Sequence, residues 1–83
     1  MINNKKILIT GGTGSFGKTF TEIILKRYKP KKLIIFSRDE LKQHEMKLKY
    51  NSKNYPISYF IGDIRDKNRL YRAFDSVDYV IHA

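Results

Sequence analysis

Short apolar segments alternate with longer segments of mixed polarity along this chain. Residues 7–10, 33–36, 57–61 and 79–81 are mostly apolar, and a mixed segment separates each from the next. Continuous apolar composition is typical of strands in a parallel sheet, because helices cover both faces of such a sheet. The pattern therefore predicts four strands.

The first mixed segment has apolar residues at helical spacing. Intervals of four, three, one and four residues place them on one face of a helix: Phe16, Phe20, Ile23, Ile24 and Tyr28. We therefore predict a first helix that begins near Ser15, buries this face and is stopped by Pro30.

The other two mixed segments differ in how clearly they predict a buried face. The apolar residues of segment 40–50 do not align, so we expect this second helix to lie largely exposed. Asp39 or Ser37 is placed to cap it, and Asp66 is placed to cap a third helix. The inward residues of that third segment are predicted to be Leu70, Ala73, Phe74 and Val77.

The resulting β-α-β-α-β-α-β order predicts an α/β fold with a parallel sheet and right-handed crossovers. The strand order of nucleotide-binding folds of this kind is 3-2-1-4, and we predict that order here. Residues 1–83 would then be a partial dinucleotide-binding domain, the N-terminal half of an NAD(P)-binding Rossmann fold, truncated within or just after strand four. Because such a strand leaves an apolar edge, we expect the chain to be the N-terminal part of a longer protein.

A glycine-rich loop, TGGTGSFG at residues 10–17, lies between the first strand and the first helix. Gly12, Gly14 and Gly17 fit the pattern G-x-G-x-x-G, and Gly11, Gly14 and Gly17 fit G-x-x-G-x-x-G. Glycines here allow a tight turn, a close approach to a pyrophosphate and close helix–sheet packing, and the helix start directs N–H groups at the anion. The loop predicts a dinucleotide site; a plain glycine-rich turn is the alternative.

The end of the second strand favours NADP over NAD. An acidic residue placed there, about 20 residues beyond the loop, hydrogen-bonds the ribose 2′-hydroxyl of NAD. This chain instead has Ser37 followed by Arg38, which suits a 2′-phosphate, and Lys42 adds a positive charge one helical turn later. Asp39 weakens the prediction slightly, and an exposed surface arginine is the alternative for Arg38.

The ends of the third and fourth strands offer further candidates. Asp63 could accept a hydrogen bond from the adenine amine and Ile64 could pack on the ring, although a simple Asx turn is the alternative for Asp63. We interpret His82 as a packed strand residue without a partner rather than as a catalytic base.

Composition and charge limit the remaining function classes. The chain has 17 basic and 8 acidic residues, a formal charge of +9, but the basic residues form no single block, so we do not expect nucleic-acid binding. The absence of cysteine excludes disulfides and thiolate metal sites, and we predict no metal site. No apolar run approaches the ~20 residues of a membrane helix, so we expect a cytoplasmic protein without a membrane partner.

Four segments together resemble a known family: residues 7–17 (ILITGGTGSFG), 36–43 (FSRDELKQ), 62–66 (GDIRD) and 80–83 (VIHA). They are similar to the N-terminal part of the extended short-chain dehydrogenase/reductases. The second segment resembles more narrowly the polysaccharide-biosynthesis sugar-nucleotide dehydratases, typified by the inverting UDP-N-acetylglucosamine 4,6-dehydratases. The resemblance covers the whole chain but about the first quarter of such an enzyme.

The resemblance implies an NADP-dependent lyase that dehydrates UDP-N-acetylglucosamine and inverts C5, for flagellin glycosylation or surface polysaccharide. The complete protein would take a UDP-sugar substrate and form a homo-oligomer, and its catalytic residues would lie beyond residue 83. A nucleotide-sugar epimerase and a non-catalytic NADP-binding module are the alternatives. The cofactor-binding residues predicted from the loop and the resemblance are Gly11, Thr13, Gly14, Ser15, Phe16, Gly17, Ser37, Arg38, Asp39, Lys42, Asp63, Ile64 and Ala83.

Overall fold

Four parallel strands form one sheet in the order β3-β2-β1-β4 in the computed structural model, which describes residues 2–83. Three helices connect them. The elements in chain order are β1 (Lys6–Thr10), α1 (Ser15–Arg27), β2 (Lys32–Ser37), α2 (Glu40–Lys49), β3 (Ile57–Ile61), α3 (Lys67–Ala73) and β4 (Tyr79–His82). The predicted α/β class and the predicted strand order are both confirmed.

The strand register brings the carboxyl ends of all four strands to one edge of the sheet. Thr10 at the end of β1 pairs with Phe36 of β2 on one side and with His82 of β4 on the other. Ser37 at the end of β2 pairs with Ile61 of β3. Loops that follow these residues therefore share one side of the molecule.

The core forms two layers because successive strand residues point to opposite faces of the sheet. One layer contains Ile7 and Ile9 of β1, with α1 and α2 packed over it through Ile24 and Met46. The other contains Leu8 of β1 and lies under α3. The α3 segment contributes to that second layer the four residues predicted to face inward: Leu70, Ala73, Phe74 and Val77.

The buried face of α1 differs from the predicted one. Gly17, Thr21 and Ile24 are its buried residues, whereas Phe16 is 58% exposed and Ile23 is exposed as well. The prediction was also wrong for Tyr28, which caps the helix and is exposed. Small residues at Gly17 and Thr21 share the buried face with Ile24, and Phe20 is partly buried against the same core, as predicted.

Helix α2 is largely exposed, as its weak apolar pattern predicted. Of its ten residues, all described, Gln43 and Met46 are buried, while Leu41 and Leu48 lie in solvent. The helix ends at Lys49, and Tyr50, predicted as its last residue, is its buried C-cap.

The described part of the chain contains no helix that is both long and apolar enough to cross a bilayer. Residues 2–83 also contain no group of three or more His, Cys, Asp or Glu side chains that could hold a metal ion.

Candidate functional site

A cleft of about 1090 Å³ lies across the carboxyl ends of the strands. In doubly wound folds ligands bind in such a crevice, where strand order changes direction on either side of β1. Ten of the thirteen predicted cofactor-binding residues line it: Gly11, Thr13, Gly14, Ser37, Arg38, Asp39, Lys42, Asp63, Ile64 and Ala83. The tertiary structure thus brings together residues from the loops that follow all four strands.

Gly11 makes the turn that leads from β1 into the loop. Its φ of +67° lies in the left-handed region that favours glycine, and its N–H donates a 2.8 Å hydrogen bond to the carbonyl of Phe36. A Cβ atom at this position would lie 3.1 Å from the carbonyl oxygen of Ala83. Glycine therefore lets β1, β2 and the end of β4 meet closely at the floor of the cleft.

The N-terminus of α1 has no side-chain cap. Its N-cap residue is Gly14, and its first turn contains no acidic residue. The other two helices are capped: Asp39 accepts a hydrogen bond from the Lys42 N–H at 2.9 Å, and Asp66 caps α3. Within residues 2–83, no side chain occupies the first N–H groups of α1, so these donors and the helix dipole are available to an anion.

Ser15, Phe16 and Gly17 are the three predicted residues that do not line the cleft. The side chains of Ser15 and Phe16 are exposed, and their backbone N–H groups belong to the first turn of α1. Gly17 is buried, and a Cβ atom there would overlap the backbone of Gly12. Its role in the structure is the close contact between α1 and the loop.

Arg38 and Lys42 lie where β2 ends, next to the carboxylates of Asp39 and Glu40, and all four residues line the cleft. The Arg38 side chain is 71% exposed, and its Nη1 lies 3.5 Å from Oδ2 of Asp63. The Nζ of Lys42 lies 4.0 Å from Oδ2 of Asp39. Both cations line the cleft, and both interactions are too long and too exposed to hold the side chains firmly.

Asp63 is engaged by an arginine that sequence reasoning missed. Arg65 donates from its backbone N–H to Oδ1 at 2.9 Å and from Nη2 to Oδ2 at 2.7 Å. The hydrogen bonds from Arg65, with a smaller contribution from the charge of Arg38, hold the pKa of Asp63 well below its ordinary value. The Asx turn considered for Asp63 is therefore formed, and the adenine contact stays a prediction.

Ser37 does not cap α2, because its side chain is turned toward a buried residue. Its Oγ lies 2.9 Å from Nε2 of Gln43, and the cap is Asp39, which was the other predicted candidate. Ser37 nevertheless lines the cleft.

His82 has a partner, contrary to our interpretation from the sequence. Its Nδ1 lies 2.6 Å from Oγ1 of Thr10, and the ring is exposed rather than packed. The parallel register of β1 and β4, which the sequence alone did not specify, places the two residues side by side.

Six lining residues were absent from the predicted set: Thr10, Phe36, Glu40, Gly62, Arg65 and His82. Three of them end a strand or directly follow one, namely Thr10, Gly62 and His82. Selection of every strand-end position would have found these three, because parallel strands present their carboxyl ends at one edge.

Comparison with known proteins places the chain in a family. Residues 7–83 match the family model described as "Polysaccharide biosynthesis protein". The chain belongs to this family. The resemblance seen in the four sequence segments is thereby confirmed.

Two curated relatives of this family member carry different activities in their names. The chain is 63% identical over its whole length to a UDP-N-acetylglucosamine 4,6-dehydratase (inverting) of Campylobacter jejuni, of which it covers 24%. It is 45% identical to a UDP-glucose 4-epimerase of Rickettsia bellii, of which it covers 25%. The chain therefore spans about a quarter of the length of the curated relatives it matches.

A solved structure shares the fold. The X-ray structure of Pen from Bacillus thuringiensis matches 96% of this chain and 24% of that chain, with a TM-score of 0.87 and 38% sequence identity. The Rossmann-like architecture predicted from the strand and helix pattern is thus found in a solved relative.

Proposed function

We propose that this chain is the NADP-binding segment of a longer nucleotide-sugar 4,6-dehydratase, a lyase that acts on UDP-N-acetylglucosamine. The supporting observation is geometric: the uncapped N-terminus of α1 and the cations Arg38 and Lys42 belong to one cleft. The 63% identity to an inverting dehydratase supports the choice of reaction.

The glycine loop is the proposed diphosphate site. Backbone N–H groups of Thr13, Gly14, Ser15 and Phe16 lie where α1 begins, and an anion there gains both hydrogen bonds and the favourable end of the helix dipole. Gly14 lines the cleft, and without a side chain it permits a close approach. Gly11 and Gly17 set the shape of this loop.

The end of β2 is the proposed site of the 2′-phosphate. Arg38 has its planar guanidinium at the cleft, and a guanidinium binds phosphate oxygens in bidentate fashion. Lys42 adds a second positive charge. Asp39 is directed at the N–H of Lys42 as a helix cap, which reduces its repulsion of a phosphate.

The loop after β3 is the proposed adenine site, with Ala83 at the opposite end of the cleft against the remainder of the cofactor. Ile64 is 55% exposed and supplies an apolar surface, while Asp63 supplies carboxylate oxygens. These two roles are the ones predicted from the sequence.

NADP, when bound, supplies a hydride acceptor and donor for transient oxidation at the sugar C4 and reduction at C6. The residues of this chain bind and orient the cofactor; we propose that the catalytic acid, base and tyrosine, and most of the sugar-nucleotide pocket, follow residue 83 in the complete protein. We also propose that the complete protein is a cytoplasmic homo-oligomer that acts in the synthesis of surface polysaccharide or a flagellin glycan. Fractionation and analytical ultracentrifugation of the complete protein test those last two points.

The decisive experiment uses the complete protein with UDP-N-acetylglucosamine and no added cofactor beyond NADP. We expect a 4-keto-6-deoxy sugar nucleotide with inverted C5, identified by mass spectrometry and NMR of the product. Unchanged substrate, with NADP bound, would instead favour a non-catalytic binding module.

Epimerisation is the second candidate, because a relative named UDP-glucose 4-epimerase is 45% identical. The same incubation separates the two reactions. An epimerase yields a sugar nucleotide of unchanged mass that differs at C4, whereas a dehydratase yields a product lighter by one water.

A further inference from the structure

Gln43 of α2 carries a carboxamide into the interior between the ends of β2 and β3. The residue is 1% exposed. Its Nε2 lies 2.9 Å from Oγ of Ser37, 3.1 Å from the carbonyl oxygen of Phe60 and 3.4 Å from the carbonyl oxygen of Ser37. One buried amide thus contacts the final residue of β2 and the penultimate residue of β3.

The surroundings fix the orientation of this amide. Two of its three neighbours are backbone carbonyls, which only accept hydrogen bonds, so the NH₂ group and not the amide oxygen must face them. The Oε1 atom of Gln43 is buried without a hydrogen-bond partner among the described residues. Rotating the amide would direct that oxygen at the carbonyl oxygens of Phe60 and Ser37, which is less favourable because none of these oxygens can donate a hydrogen bond.

The orientation of Gln43 determines what the Ser37 hydroxyl can do. Because Nε2 is a donor, the Oγ of Ser37 accepts from it, and the hydroxyl hydrogen must point elsewhere. Ser37 lines the same cleft as Arg38 and Lys42. A hydroxyl hydrogen that is directed away from Gln43, in a cleft that Arg38 and Lys42 also line, can be donated to a phosphate oxygen.

We propose that Gln43 is a positioning residue that holds the Ser37 hydroxyl as a donor to the 2′-phosphate and so contributes to the selection of NADP over NAD. The inference rests on the proposed NADP-binding function and extends it to a residue that does not itself line the cleft. Gln43 acts through Ser37 and makes no contact with the ligand.

The test measures ligand selectivity in the complete protein by isothermal titration calorimetry. Adenosine 2′,5′-bisphosphate carries the 2′-phosphate, and adenosine 5′-monophosphate lacks it. Gln43→Met keeps the length of the side chain but removes the donor. We expect this change to weaken binding of the bisphosphate about tenfold and binding of the monophosphate by less than about twofold, since a hydrogen bond to a charged group is lost.

Ser37→Ala is expected to show the same selective loss of affinity for the bisphosphate. Combining Ser37→Ala with Gln43→Met should weaken bisphosphate binding by no more than about a further twofold, because both changes remove the same interaction. The proposal would be overturned if the loss of affinity in the double variant equalled the product of the two single losses. It would also be overturned if either single variant weakened both ligands equally. Met46→Ala is the matched control: it loosens the same helix at a buried position outside the Gln43 contacts, and should leave the ratio of affinities unchanged.

A second measurement covers the case in which Gln43→Met does not fold. In the unaltered protein, the side-chain amide signals of Gln43 should shift more on binding the bisphosphate than the monophosphate, because hydrogen bonding polarises the Ser37 hydroxyl. Equal shifts would refute the proposal. Failure of the unaltered protein to prefer the bisphosphate would refute the NADP assignment itself, whereas preference without an effect of Gln43→Met refutes only the role of Gln43.

Discussion

The guanidinium of Arg38 lies 3.5 Å from the Asp63 carboxylate oxygen that Arg65 already holds at 2.7 Å. Because Arg65 donates to both carboxylate oxygens, Asp63 remains paired when Arg38 turns away from it. Arg38 therefore keeps its donors available to a ligand. The pKa of Asp63 is held low mainly by hydrogen bonds from Arg65, so the carboxylate stays ionised through the ordinary titration range of an aspartate and below it.

Arg38→Ala in the complete protein should weaken the binding of NADP by about 10- to 100-fold and the binding of NAD by less than about threefold. The reason is that the lost bidentate interaction is with the 2′-phosphate, which NAD lacks. Fluorescence titration with the reduced cofactors measures both affinities. Arg72→Ala is the matched control, since it removes an exposed guanidinium that does not line the cleft and should leave both affinities unchanged. Equal losses in Arg38→Ala would contradict the assignment of Arg38.

Gly17→Ala should destabilise the fold by about 1–3 kcal/mol, because its Cβ overlaps the Gly12 backbone and forces α1 away from the loop. Thermal unfolding measures the loss. Gly14→Ala is the informative comparison: its Cβ would lie 3.6 Å from the nearest neighbouring atom, an ordinary contact. We expect Gly14→Ala to unfold near the original temperature but to bind NADP more weakly, since Gly14 lines the cleft; a normal affinity would argue against a diphosphate beside this residue.

Asp39→Ala should destabilise the protein by about 1 kcal/mol through loss of the α2 cap, and Asp66→Ala should do the same through α3. The two variants are expected to diverge in ligand binding. Loss of the Asp39 carboxylate removes a negative charge next to Lys42, so NADP affinity should be maintained or increased in Asp39→Ala. A strong decrease there, without a decrease in Asp66→Ala, would indicate that Asp39 contacts the cofactor directly.

Tyr59 should make stability fall at high pH. Burial, with a smaller contribution from Tyr50, raises the pKa of Tyr59 to about 12, above the ~10 of an unfolded chain. The stabilisation is therefore complete below about pH 10 and is lost as pH rises toward 12. The loss should be about 1–2 kcal/mol, reduced by solvent around this half-buried ring, and urea unfolding at about pH 9 and about pH 11 measures it.

Tyr59→Phe isolates this contribution. The Oη of Tyr59 donates a 2.7 Å hydrogen bond to the carbonyl of Tyr50, so the variant should lose about 1 kcal/mol at pH 9 and show a shallower decline to pH 11. Tyr71→Phe, at a residue 64% exposed, should retain the full decline. The prediction fails if Tyr59→Phe and the unaltered protein decline in parallel.

Local sequence was sufficient to predict most of the architecture and much of the cleft. Apolar runs and helical spacing located the strands and helices to within about two or three residues, because periodicity reports which face of each element is buried. The loop glycines and the strand-end residues Arg38 and Asp63 were identified because their positions relative to a strand carry a defined geometry.

Only the tertiary structure decided the contacts between elements. The packing of α1 left Phe16 and Ile23 exposed, against the pattern of apolar residues. Strand register placed Thr10 against His82, and helix packing directed Gln43 onto Ser37. These pairings depend on how separate elements pack against one another in space. Hydrophobic periodicity does not encode that packing, because it reports only which residues within one segment share a face. The elements themselves follow from the residues within each segment.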